Sequence, residues 1–336
     1  MSTSSGIPSI ISESPTRRID ELLNRPLFRV DSLACMGAAQ VIRHYRARSE
    51  NTPWGHLPSS IQLTFKLAFI AACHQINWDY LQSRLAENLL CDDCKQLPQR
   101  LAKLHASDVQ TWLSDYHKPL RIRAKERAQL MRDVGQKLLA HYGGDSSNLL
   151  READYRLEGP SGFLSKLDIF EAYKEDPLRK KSHVLVQDLT REEIARFHDE
   201  DKIEPAIDYH IMRLYLRSGR VAPLFSEVGE VLKGRSRPRP RLVKLLRKAV
   251  GEALGLTAFY AGLNVSATNY IEWQIGRSIC LGEAPPNCLQ QRPLTNLDPD
   301  IRTLFHSSCP YIGFCLAYTD DKWRALKEPD FVKSFY

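Results

Sequence analysis

Residues 205–219 of the sequence, PAIDYHIMRLYLRSG, set one acidic side chain, Asp208, between a proline-containing turn and a helical run bearing His210, Ile211, Arg213, Arg217 and Gly219. A carboxylate in that position caps a helix by accepting from the free N–H groups of its first turn. Upstream, residues 176–184 (DPLRKKSHV) crowd Arg179, Lys180 and Lys181 into one basic turn, suited to touching phosphate. Between Lys233 and Lys248 stand Lys233, Arg235, Arg237, Arg239, Arg241, Lys244, Arg247 and Lys248, with no acidic residue among them. Such a run fits a nucleic acid backbone, which supplies most sequence-independent affinity. Near the C-terminal end, Cys280, Cys288, Cys309 and Cys315 fall within 36 residues. Four thiolates suit Zn²⁺ or a 4Fe–4S cluster. The competing reading is that free cysteines serve as small buried hydrophobes.

Asp208, His210, Ile211, Arg213, Arg217 and Gly219 match, without a gap, the run D-x-H-V/I-x-R-x-x-x-R-x-G, and so the segment resembles the helix–hairpin–helix DNA glycosylases. Residues 97–102, 108–113 and 125–139 resemble, in order and spacing, the helices that lead into that superfamily's hairpin. The hairpin itself departs from the pattern. Where most members carry L-P-G-x-G-x-K-T/V-A, this chain has DPLRKKSHV, which sets Lys181 at the catalytic lysine of the bifunctional members, with Lys180 as the alternative. The glycine-poor hairpin and the long interval from Lys181 to Asp208 resemble the archaeal 8-oxoguanine glycosylase branch. In that branch a helix-borne glutamine and nearby aromatics line the base pocket. Residues 74–81 (HQINWDYL) resemble that helix and imply Gln75 and Trp78. The whole chain also resembles a bacterial offshoot of the branch that defends cells by excising α-glucosylated 5-hydroxymethylcytosine from T-even phage DNA.

The resemblance implies an all-α helix–hairpin–helix glycosylase fold, two helical lobes with a cleft between them. Residues 1–20 would be a Ser/Thr-rich tail, 21–90 with 222–336 one lobe, and 91–221 a helical barrel lobe bearing the hairpin and Asp208. It implies a monomeric enzyme on double-stranded DNA that flips out a modified base and cleaves its N-glycosidic bond. Asp208 would stabilise the positive charge developing on the sugar. Lys181 would attack C1′ if its amine were neutral, leading to strand scission; otherwise water attacks and an intact abasic site remains. Arg179, Lys180, His210, Arg213, Lys233, Arg235, Arg237, Arg239 and Arg241 would contact DNA. The chemistry needs no cofactor. Several members hold a structural 4Fe–4S cluster on C-x6-C-x2-C-x5-C, and of the intervals here (x7, x20, x5) only the last matches. Two other readings stay open: an 8-oxoguanine glycosylase/lyase of base excision repair, and a non-catalytic module that binds modified DNA.

The elements that must position these groups are helical. At 336 residues, 43% hydrophobic and 26% charged, the chain has ordinary globular usage and a net charge of +7. Apolar residues recur at three and four over 61–70, 109–113, 124–139 and 241–254, the last opposing Leu242, Leu245, Leu246, Ala249 and Ala253 to the lysines and arginines. The one alternating candidate for a strand is 184–186. Breaks are expected at 51–58, 96–98, 143–147, 176–177, 204–206 and 234–240. The RPRPR segment reads as a stiff linker, since proline cannot continue a helix. The longest apolar run, residues 67–73, falls far short of the roughly 18 that span a membrane. The first sixteen residues lack the basic start and apolar stretch of a signal peptide, so a cytoplasmic location is expected.

Overall fold

The computed structural model describes residues 22–45, 52–90, 94–174, 178–234, 240–282, 287–290, 297, 299–302 and 309–329. Over these the chain is predominantly α-helical, as its periodicity predicts. The principal helices are α1 (Ser32–Ile42), α2 (Ser59–Ala72), α3 (Trp78–Leu89), α4 (Leu97–Ala102), α5 (Ala106–Trp112), α6 (Ala124–Tyr142), α7 (Lys180–Arg191), α8 (Tyr209–Ser218), α9 (Ser226–Lys233), α10 (Pro240–Ala261) and α11 (Val265–Ser278). Among the described residues one sheet occurs, a ribbon of β1 (Phe28–Val30) antiparallel to β2 (Val221–Pro223). Residues 184–186, the one alternating candidate for a strand, are part of α7, where Leu185, Val186 and Leu189 turn inward at helical spacing. No helix among the described residues is long and apolar enough to cross a membrane.

Buried apolar side chains form two clusters. The first gathers residues between Trp54 and Ile203 around α2. The second combines Leu27–Tyr45 with side chains from Ile207 to Leu326. This division differs from the boundaries expected from the sequence. α2 and α3 pack in the first cluster rather than with the N-terminal lobe, and α8 packs in the second rather than with 91–221. The reason is compositional. From Ile61 to Ala72 every residue of α2 is buried, and nine of those twelve are apolar, so the helix belongs at the centre of a core, with Lys66 paired to buried carboxylates. Burying Phe65 and Phe69 there contributes about 2–3 kcal/mol each. α8 likewise commits Ile211, Met212 and Leu214 to the second cluster. The tail at 1–20 lies outside the described residues.

Two glycines set the position of α8. Gly219, at φ 83°, closes its C-terminus in the left-handed conformation that only glycine adopts cheaply. Gly276 of α11 lies so near α8 that an added Cβ would meet the His210 carbonyl oxygen at 2.7 Å. The two helices therefore pack backbone to backbone beside Asp208.

Candidate functional site

Asp208 sits at the N-cap of α8 and is 5% exposed. Its Oδ1 accepts from the Ile211 N–H at 2.9 Å, so the expected capping role is met. Burial pushes its carboxyl pKa up, partly offset by the positive charge of Lys180 and by backbone N–H donors. The segment that delivers it is fixed from both clusters. Asn269 Oδ1 accepts from the Ala206 N–H at 2.8 Å, and Gln187 Nε2 donates to the Glu204 carbonyl at 3.0 Å.

Lys181 lies in the first turn of α7 and is 3% exposed. Its Nζ donates to the Ala71 carbonyl at 2.7 Å, near the C-terminal end of α2. Burial is the largest influence on this amine, and with the charge of neighbouring Lys180 it lowers the pKa to about 7. A lysine in that state is part-neutral at physiological pH, which is what amine nucleophiles require.

Both residues open onto one cavity of about 330 Å³, lined by residues of both clusters. The linker from α2 to α3 supplies Cys73, His74, Gln75 and Asn77, and α3 supplies Trp78 and Asp79. α7 adds Lys180, Lys181, Gln187, Asp188 and Arg191; α8 and its cap add Asp208, Tyr209 and His210; α11 adds Asn269, Tyr270, Trp273 and Arg277. Gln75 holds φ 53°, a left-handed conformation that is uncommon outside glycine and that accumulates at functional sites. Trp78 stands edge-on to Phe69 and to Trp273, with ring centroids 4.5 and 5.8 Å apart. Arg277 lies over the Trp273 ring at 4.2 Å and pairs with Asp79 at 2.9 Å. Arg191 covers Tyr270 at 4.2 Å while donating to Asp188 at 2.6 Å. His74 is buried with neither ring nitrogen hydrogen-bonded, and burial followed by the nearby Arg127 charge keeps it neutral.

The cavity thus brings together Asp208, Lys181, Lys180, Gln75, Trp78 and His210 of the residues expected from the sequence. His210 Nδ1 lies 3.0 Å from Arg213 Nη2, and since guanidinium only donates, Nδ1 is the acceptor. Arg213 does not face a DNA surface. It is 2% exposed, and its guanidinium is committed to the Cys280 and Gly276 carbonyls and to Glu328. Arg179 is half-buried and pairs with Asp168 at 2.5 Å, away from the cavity lining. Lys233 pairs with Glu230 at 2.7 Å, and the exposed Arg241 donates to Asn24 at 2.7 Å. Arg235, Arg237 and Arg239 lie outside the described residues. Arg247, expected on the solvated face of α10, is turned inward.

Of the four C-terminal cysteines, Cys280 and Cys315 contact Arg217, and Cys288 and Cys309 are hydrogen-bonded to each other. Cys315 Sγ donates to the Arg217 carbonyl at 3.6 Å, and Arg217 Nη1 reaches Cys280 Sγ at 3.7 Å. A hydrogen bond from Cys309 lowers the Cys288 thiol to about 7, and burial together with the charges of Cys280 and Cys288 raises Cys315 to about 11. The thiols are free, and no group of three or more His, Cys, Asp or Glu among the described residues is set out to hold a metal ion.

Sequence reasoning missed Asn269, Tyr270, Trp273 and Arg277, all on α11, and the Asp188–Arg191 pair on α7. An aromatic and a cation four residues apart, as Trp273 and Arg277 are, is the one local signal that marked a shared helix face. No protein-family model matches the chain, and a search of curated proteins finds no match.

Proposed function

We propose that the protein is a DNA N-glycosylase of the helix–hairpin–helix superfamily, its two clusters forming two lobes with the cavity as the cleft between them. One observation carries the reading: a buried carboxylate, Asp208, and a buried lysine lowered to about 7, Lys181, line one cavity walled by Trp78, Tyr270 and Trp273. An extruded base repays its unstacking by stacking on such rings and by hydrogen bonds to polar groups such as Gln75, Gln187 and Asn269.

As the N-glycosidic bond breaks, the bonding electrons leave with the base and positive charge develops on the sugar. The Asp208 carboxylate stabilises that charge electrostatically. The neutral Lys181 amine attacks C1′, forming the C–N bond as the base departs, and loses a proton on the way to a Schiff base. His210, neutral because burial and then the Arg213 charge depress it, adds no competing cation beside the sugar. The cavity sits at the small end of the range for ligand sites, about 300–1,000 Å³.

The substrate we propose is α-glucosyl-5-hydroxymethylcytosine of T-even phage DNA, excised in antiviral defence; the support for it is the overall resemblance of the chain. A second reading, an 8-oxoguanine glycosylase/lyase, is favoured by the modest cavity, since a glucosylated cytosine calls for more room than a purine. The thiol chemistry of Cys280, Cys288, Cys309 and Cys315 suits a structural Zn²⁺ or 4Fe–4S cluster, which the four would have to draw together to hold and which would take no part in bond cleavage. The test is incubation with glucosylated T-even DNA, its non-glucosylated hydroxymethyl form and an 8-oxoguanine oligonucleotide. Released bases are identified by mass spectrometry, with Asp208→Asn alongside. Glucosylated base released by the wild type alone supports the reading. Release of 8-oxoguanine alone moves it to repair, and binding without release leaves a modified-DNA-binding module.

A further inference from the structure

Among the described residues that line the cavity, only His74 has buried side-chain polar atoms without a hydrogen-bond partner. The residue is 2% exposed. A neutral imidazole carries one donor and one acceptor, and leaving both unmet in a buried site costs stability. The fold nevertheless holds the ring there. Arg127, fully buried in α6, donates through Nη2 to the His74 carbonyl at 2.7 Å and to the Arg121 carbonyl at 3.0 Å. Its Nε donates to the Ile122 carbonyl at 2.7 Å, and its Nη1 to the Ala72 carbonyl. One guanidinium thus ties the linker that carries His74 to the segment before α6.

The groups around the ring come from two helices. On the α6 side, Nε2 lies 3.6 Å from Oε1 of Glu126, a half-buried carboxylate that reaches solvent and pairs with Arg123 at 2.7 Å. From α7 come Lys181 and Lys180, which share the cavity lining with His74. Burial, then the charges of Arg127, Lys181, Arg123 and Lys180, lower the imidazole and keep it neutral. The Nε2–Glu126 gap is slightly beyond hydrogen-bond range, and a small turn of the ring closes it. Contacts of this kind commonly tighten only once substrate is bound.

Lys181 needs an exit for a proton. Its attack on C1′ leaves the nitrogen positively charged, and its one hydrogen-bond partner, the Ala71 carbonyl, is too weak a base to take the proton. Asp208 is engaged with the Ile211 N–H and with the charge on the sugar. A nucleotide seated in the cavity excludes water from that side. We propose that His74 carries this proton from Lys181 to Glu126, and so to solvent, by exchanging tautomers. One ring nitrogen takes the proton from Lys181 Nζ as the other gives its own to the Glu126 carboxylate, which releases it to water. The lysine nitrogen ends neutral, Glu126 regains its charge, and no imidazolium stands between them. A proton passing back as the lysine is set free restores the first tautomer. His74 acts through Lys181, so it is a positioning residue, and the inference rests on the glycosylase reading.

A duplex with one abasic site, trapped by borohydride, isolates the lysine step from base release. Wild type is expected to trap at a rate that buffer concentration does not change. His74→Phe fills the site and removes both orphaned nitrogens, so it should melt no lower than wild type. It should nevertheless trap about tenfold more slowly or worse, at a rate that climbs with buffer concentration. Imidazole should restore trapping to His74→Ala. 1-Methylimidazole, which fills similar space but has no N–H to pass on, should not. Trapping by His74→Phe at the wild-type rate, no rescue by imidazole, or equal rescue by both compounds would overturn the proposal. A wild type that traps the abasic duplex, with both His74 effects present, but releases no base from glucosylated, hydroxymethyl or 8-oxoguanine DNA keeps the relay and removes the glycosylase. A wild type that traps nothing overturns both.

Discussion

Lys181 Nζ donates to the carbonyl of Ala71 at 2.7 Å, so the amine rests on the C-terminal end of α2, where helix carbonyls favour positive charge. Burial opposes this and wins, lowering the amine to about 7 from its ordinary 10.5. Single-turnover excision should therefore rise with pH and level off above an inflexion near 7. Because the folded pKa lies below the unfolded one, the buried amine costs stability in full below pH 7, progressively less up to about 10.5, and nothing above it. Lys181→Met should abolish borohydride-trappable complexes yet melt no lower than wild type at pH 6, its relative advantage shrinking toward pH 10. A pH-independent rate in the wild type would remove Lys181 from the chemistry.

Asp208 caps α8, and under the proposed glycosylase chemistry it has a second task that one substitution separates from the first. Asparagine keeps the cap on the Ile211 N–H but carries no charge, whereas alanine loses both. Asp208→Asn should slow excision about a hundredfold or more with an unchanged melting temperature, the loss being electrostatic. Asp208→Ala should lose activity equally and about 1 kcal/mol of stability besides. Circular dichroism melts beside excision assays of the two variants give the comparison.

What the sequence made legible follows from how local each signal is. The long helices at 61–70, 124–139 and 241–254 were readable because their apolar faces repeat over several turns. Asp208 was readable because turn and helix flank it directly. Val184–Val186 carried little information either way, because three residues cannot distinguish a period of two from one of 3.6. The ribbon pairing Arg29 with Ala222 escaped notice, since each strand contributes only three residues and the partner is remote. The resemblance put Arg213 on DNA, yet the Cys280 and Gly276 carbonyls that draw it inward lie on a distant segment. The same remoteness hid Tyr270 and Trp273: nothing in residues 265–278 reveals that α11 faces α7.

Lys66, wholly buried in α2, is bonded to Glu192 and, at 3.0 Å, to Asp188, which lines the cavity and holds Arg191. Burial pushes both carboxyls up. In Asp188 the charges of Lys66 and Arg191 outweigh it and hold the group below its ordinary range, while Glu192 stays raised. Lys66→Met would leave two buried carboxylates sharing Arg191 as their cation, at a cost of about 3–5 kcal/mol. The deficit should be largest near neutral pH and shrink as the pH falls and the raised Glu192 takes up a proton. Urea titrations at pH 5 and pH 8 measure both the size and the sign.

The C-terminal thiols make the last test a matter of composition. A 4Fe–4S cluster or Zn²⁺ on Cys280, Cys288, Cys309 and Cys315 requires every ligand as thiolate. Cys288, at about 7, is the thiol that yields its proton most readily, and Cys315, at about 11, is held protonated by burial until a cation arrives. Protein purified anaerobically should carry one metal centre per chain by elemental analysis, iron with visible absorption or zinc without. Because metal binding releases protons, its loss should accelerate as the pH falls. Stripping it should lower the melting temperature by freeing residues 309–329, which reach α8 through Arg217 and the Arg213–Glu328 pair. Cys309→Ser should show the same loss, since serine offers a hydroxyl in place of the thiolate. Metal-free protein with the melting temperature of the Cys309→Ser variant would return the four cysteines to the role of buried apolar groups.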